Sequence, residues 1–66
     1  MPVERVTRIT ATSVKGFEEA LQEGLNRANK TLRNLLRIDV VSQGARLKNG
    51  KISEYEVTLD IRFILE

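Results

Sequence analysis

The chain has 66 residues, with 11 Lys+Arg against 9 Asp+Glu and neither cysteine nor histidine. That length supports one domain over residues 1–66, and the missing residue types exclude a disulfide framework and the usual zinc cages, so no metal site is expected. The near-even charge balance argues against nucleic acid as a partner.

No apolar run approaches the roughly 18 to 20 residues of a membrane span, so no membrane partner is expected. The opening MPVERVTRIT lacks the apolar core of a secretory signal. The absence of cysteine is compatible with a reducing, cytoplasmic setting. A single core in a chain below about 70 to 80 residues seldom supplies more than ~3–5 kcal/mol. With no disulfide and no metal, self-association is the expected source of further stability.

In chain order, residues 3–12 (VERVTRITAT) are rich in β-branched side chains and hold no glycine, which predicts a first strand. Ser13 then offers a hydroxyl to a free amide of a first helical turn, as an N-cap. From Val14 to about Asn34 the apolar spacing is helical: Phe17, Leu21, Gly24, Leu25, Ala28, Leu32 and Leu35 share one stripe. Acids come early on the opposite arc and bases late, which complements the helix dipole. Gly24 on the apolar stripe predicts a close approach of the helix to a sheet, offsetting its cost of about 1 kcal/mol against alanine.

A second strand is expected from about Leu35 to Leu47, a hairpin at Asn49-Gly50, and a third strand from about Ile52 onward. The third strand alternates with period two, placing Tyr55, Val57, Leu59, Ile61, Phe63 and Leu65 on one face. The fold class is α+β, a β-α-β-β unit. Because a helical crossover normally leaves the flanking strands parallel, placing strand three between them makes every pair antiparallel, in the order 1-3-2. A helix of about 20 residues spans ~30 Å, whereas a strand of about 14 residues spans ~46 Å. Phe63, Ile64 and Leu65 are therefore expected to be covered by another subunit.

A two-residue turn at Asn49-Gly50 pairs Val40 with Leu59, Ile38 with Ile61 and Leu36 with Phe63, all facing the helix. Arg37, Asp39, Asp60 and Arg62 then share the other face. Arg37 lies diagonal to Asp60 and Asp39 to Arg62, within reach of one another, and Gln43 lies opposite Glu56. This checkerboard reads either as a solvated face or as a charged face pressed against another sheet, where the charges set register between subunits or hold a ligand.

Catalytic constellations are nearly absent. No His or Cys is available as base or nucleophile, Ser13 is explained as a cap, and the carboxylates Asp39/Asp60 and Glu54/Glu56 sit beside cations or at simple strand spacing. An enzyme is not expected. Lys30 and Arg33 read as a solvated helix face, and there is no aromatic platform for single-stranded nucleic acid.

Thr12 and Ser13 opening a helix, the run RANKTLRNLLRIDVVSQG and the closing EYEVTLDIRFIL resemble the dodecin family over essentially the whole chain. The resemblance implies a sheet that partly wraps its helix. It also implies a hollow homododecameric shell that stores or buffers a small ligand without catalysis: FMN or riboflavin in the family, coenzyme A in some members. An ion is a further candidate. The ligand positions carried over from the family are Arg37, Glu56, Gln43 and Arg46. Flavin-binding dodecins carry a stacking tryptophan where Arg37 stands, and a ring-edge glutamine, just after a tyrosine, where Glu56 follows Tyr55. An arginine has less aromatic area and adds charge, and a carboxylate accepts hydrogen bonds but cannot donate them. The shell is therefore expected to persist with weakened flavin affinity. The alternative is a structural oligomer without its own ligand.

Overall fold

The computed structural model describes residues 3–65. Strand β1 spans Val3–Ser13, helix α1 Phe17–Thr31, β2 Leu35–Lys48 and β3 Lys51–Leu65. The sheet order is β1-β3-β2, and both pairings are antiparallel. The fold is thus the expected α+β unit, with the apolar third strand at its centre.

The helix is shorter than its apolar stripe suggests. Ser13 remains in β1, opposite Tyr55, and its Oγ accepts from the Lys15 amide at 3.1 Å. That local turn uses the hydroxyl before the helix begins, so Ser13 does not cap it. Gly16 occupies the N-cap without a side-chain hydrogen bond. At the other end Leu32 is already extended, its amide still reaching the Ala28 carbonyl at 2.8 Å. Asn34 turns the chain into β2 with φ 58°, a left-handed conformation that asparagine tolerates.

Alanine and glycine make the tightest contact between helix and sheet. Ala20, Gly24 and Ala28 are the buried helical residues; Ala20 lies beside the stripe read from the sequence and is 0% exposed. A Cβ on Gly24 would lie 2.7 Å from Leu59 Cδ1 and 3.3 Å from Ala11 Cβ, so the close approach expected of Gly24 is real. Ala20, Val57 and Leu59 form the core, with Ile9, Ala11, Phe17, Leu21 and Ile38 packed around it. Phe17 meets Tyr55 edge to face at a centroid distance of 4.9 Å.

The predicted register holds beside the turn and again from Val40 to Arg37 but slips elsewhere. Lys48 pairs with Lys51, Val40 with Leu59 and Ile38 with Ile61. Asn49 and Gly50 adopt φ 54° and 76°, as a tight hairpin turn with two left-handed residues requires. Ser53 is bulged out of β3 and Val41 out of β2, and the two slips cancel. Ser53 Oγ donates back to the Arg46 carbonyl at 3.1 Å. Between the bulges every partner moves by one, so Gln43 lies opposite Val57, and Gly44, rather than Gln43, lies opposite Glu56. A third irregularity pairs Leu35, not Leu36, with Phe63.

Two burial expectations change as a result. The helix packs on β1 and β3, so Leu36 and Val40 of β2 stay 49% exposed despite their expected place against it. Phe63 was expected to wait for a second subunit, yet it is only 8% exposed in one chain. It lies in the central strand, between Arg5 and Leu35. Leu65, by contrast, remains 43% exposed.

The length mismatch gives the subunit its shape. It measures 51 × 19 × 13 Å with a radius of gyration of 13.6 Å, against about 11 Å for a compact chain of this size. The β2–β3 arm runs past the helix, leaving Leu47 67% and Ile52 52% exposed.

Candidate ligand-binding and interface face

The sheet face turned away from the helix is built in rows, because antiparallel partners share a face. Across β1, β3 and β2 the rows read Val6–Arg62–Arg37, then Arg8–Asp60–Asp39. Next come Thr10–Thr58–Ser42 and Thr12–Glu56–Gly44. Arg37, Asp39, Asp60 and Arg62 therefore do share one face, as expected, with like charges directly opposed.

Their pairing differs from the expected diagonals because β1 supplies partners. Arg8 holds Asp60 with two hydrogen bonds, Nε to Oδ1 at 2.8 Å and Nη2 to Oδ2 at 3.1 Å. Arg37 Nε donates along its own strand to Asp39 Oδ1 at 2.8 Å. Arg62 Nε lies 3.8 Å from Glu4 Oε1, an ion pair too long for a hydrogen bond. The hydrogen bonds from Arg8 hold the Asp60 carboxyl below its ordinary value; partial desolvation opposes this and the Arg8 charge adds to it. Bonding to Asp60, helped by its charge, keeps Arg8 protonated more firmly than usual.

Arg8 and Glu4 were missed in the sequence. The signal was present: pairing the first strand antiparallel to the third, as the 1-3-2 order demands, puts Arg8 opposite Asp60.

Further along the same face, Arg46 grips Glu56 Oε2 through Nε at 3.0 Å and Nη2 at 2.7 Å. The bulge at Ser53 makes this possible, since it sets Arg46 opposite Glu54 and diagonal to Glu56. The structure thus brings Arg46 and Glu56 together and separates Gln43 from both, on the helix-side face with Val57. Arg37 and Glu56 are also apart. Arg62, the partner of Arg37, lies six positions along β3 from Glu56, which is about 20 Å of extended strand. One small ring touching both would have to take them from different subunits.

Leu25, Leu35, Leu36, Arg37, Ile38 and Ile61 line a concavity of about 210 Å³ between helix and β2. Among the described residues, no group of three or more acidic, His or Cys side chains could hold a metal ion. No helix among them is long and apolar enough to cross a membrane.

A single helix laid on a three-stranded antiparallel sheet, with an overlong arm and a patterned charged face, defines a small β-α-β-β class of subunit. The Dodecin family model matches residues 3–66. The dodecin of Thermus thermophilus is 36% identical over 64 residues, covering 97% of this chain and 93% of that protein. The structure of a dodecin from Streptomyces davaonensis matches with a TM-score of 0.92 at 38% identity, covering 98% of this chain and 96% of that one. An arginine-to-alanine variant of the T. thermophilus dodecin matches with a TM-score of 0.94 at 35% identity over 100% of this chain and 98% of that one. The chain belongs to the dodecin family.

Proposed function

We propose that residues 1–66 form one domain, the subunit of a non-enzymatic homododecameric shell in a reducing, cytoplasmic setting. The shell holds a small ligand, and its affinity for FMN or riboflavin is much reduced. The observation that carries this reading is the state of the two family ligand positions. Arg37 stands at the stacking position and is bonded to Asp39 at 2.8 Å. Glu56 stands at the ring-edge position and is bonded to Arg46 at 2.7 Å. A flavin would find neither an aromatic surface nor an amide there, and both side chains would first have to leave an ion pair. Coenzyme A, through its phosphates, or another anion suits the guanidinium of Arg37 better than a flavin ring does. The quartet Arg37, Asp39, Asp60 and Arg62 faces a neighbouring subunit in this reading.

The test is a double variant, Arg37→Trp with Glu56→Gln, compared with the unmodified protein by titration of flavin fluorescence, both first checked for assembly. Aromatic stacking contributes ~0.5–1.5 kcal/mol beyond area burial, and a restored hydrogen bond a net ~0.5–1.5 kcal/mol. Together they predict roughly ten- to a hundredfold tighter binding in the variant. Tight quenching of flavin by the unmodified protein, or no gain in an assembled variant, would sink the reading. An assembly that binds neither flavin nor coenzyme A would favour the structural oligomer instead.

A further inference from the structure

The arm that runs past the helix ends in a reactive dipeptide. Asn49 and Gly50 form its tip with φ 54° and 76°, between Lys48 and Lys51, which face each other across the hairpin. Both tip residues are exposed, and a two-residue turn leaves the amide between its central residues outside the ladder. The Gly50 nitrogen is therefore open to water. A Cβ on Gly50 would meet nothing within 4 Å, and glycine has no side chain of its own to crowd that nitrogen. Among the described residues no hydrogen bond holds the Asn49 carboxamide. The flanking Leu47 and Ile52 are exposed, and Ser53 is bulged just beyond them. A chain end with so few packed neighbours opens locally far more readily than the core.

We propose that Asn49 is a site of spontaneous deamidation, at which the Gly50 nitrogen displaces the side-chain amide and the arm tip ages to aspartate and isoaspartate. Hydroxide takes the Gly50 amide proton, and the nitrogen bonds to Asn49 Cγ. The Cγ–Nδ2 bond then breaks, and ammonia leaves with a proton from water, closing a five-membered succinimide. Water adds to either ring carbonyl. Addition at Cγ breaks the new bond to nitrogen and gives aspartate. Addition at the main-chain carbonyl carbon gives isoaspartate, whose chain runs on through Cβ and Cγ. One water enters and one ammonia leaves, and no oxidant, ligand or partner is needed. Either product sets a carboxylate beside two opposed lysines, a like-charge pair that is otherwise destabilising, and lowers the chain's net charge of +2 by one. The other asparagines are guarded. Asn26 and Asn29 lie in α1, where the amide that follows each is held in the helical ladder, and Asn26 Oδ1 also accepts from Gln22 Nε2 at 3.0 Å. Asn34 shares the left-handed φ, at 58°, but the branched side chain of Leu35 flanks its attacking nitrogen.

Timed incubation of the full-length protein tests this, with a synthetic LKNGKI peptide, residues 47–52, as the unfolded reference. Peptide mapping by mass spectrometry should find the amide-to-acid mass gain at Asn49 and, at matched times, less of it at Asn26, Asn29 and Asn34. Hydroxylamine, which cleaves succinimides, should cut the chain between Asn49 and Gly50. Because the attacking amide must be deprotonated, the rate should rise with pH, by up to about tenfold per unit. The rate in the folded protein should be at least about one tenth of the peptide's, a local opening of no more than ~1.4 kcal/mol. A slower rate than that, faster conversion at any other asparagine, or a rate indifferent to pH would overturn the proposal.

Discussion

The two faces of β3 are made by alternate residues of one strand, yet only one of them is finished within a single chain. On the helix side Val57, Leu59 and Ile61 are at most 1% exposed, and α1 presses alanine and glycine against them. On the other side Asp60 and Arg62 form ion pairs with Arg8 and Glu4 at the surface. The inward face holds the subunit together, because apolar burial scales with area removed from water. The outward face contributes little to one chain, since exposed ion pairs are worth little. In the proposed shell it faces a neighbouring subunit instead.

Breaking the inward face should have the largest effect. Leu59→Ala removes a side chain that is 0% exposed and should cost about 2–5 kcal/mol in chemical denaturation. A loss below ~1 kcal/mol would mean that neighbouring subunits, rather than the helix, carry the stability.

An intermediate effect is expected where the arm turns. Gly50 has φ +76° and open space around a would-be Cβ, so Gly50→Ala meets a backbone penalty alone, roughly 1–2 kcal/mol. A variant as stable as the parent would show that the arm's turn can relax.

The smallest effect belongs to the outer face, and pH exposes it. The Asp60 carboxyl is lowered in the folded chain, so its contribution is fully present above the ordinary carboxylate value of about 3.9 and is lost as pH falls through the lower folded value. Arg8→Met should therefore be slightly less stable than the parent at neutral pH, and the difference should shrink as pH falls below about 4 and vanish once Asp60 is protonated in the folded chain. Thermal melts at several pH values check this; a difference that persists or grows in acid would show that Arg8 acts through packing.

The inward face was also the more legible in the sequence. Alternation in β3 and the helical stripe placed the core, and Asn49-Gly50 placed the turn, because each rests on a period or a backbone requirement written into residue types. Ala20 escaped because a small residue adds little to an apolar stripe, although small side chains are what let a helix approach closely. The outer face was harder for two reasons. The bulges at Val41 and Ser53 carry no sequence mark, yet they moved Gln43 off the face and delivered Arg46 to Glu56. The partners of Asp60 and Arg62 lay in β1, more than fifty residues away in the chain, as the separation of 52 between Arg8 and Asp60 illustrates. The quartet itself was found by pairing β2 with β3, whereas its hydrogen bonds needed all three strands.

The central claim is the proposed shell, in which the outer face meets neighbouring subunits and Arg37 replaces an aromatic stacking surface. Native mass spectrometry of the protein as purified tests it most directly, because it reports subunit count and bound mass together. The predicted result is a particle of twelve subunits with no stoichiometric flavin. A stable monomer at micromolar concentration, or a shell loaded with flavin, would contradict it.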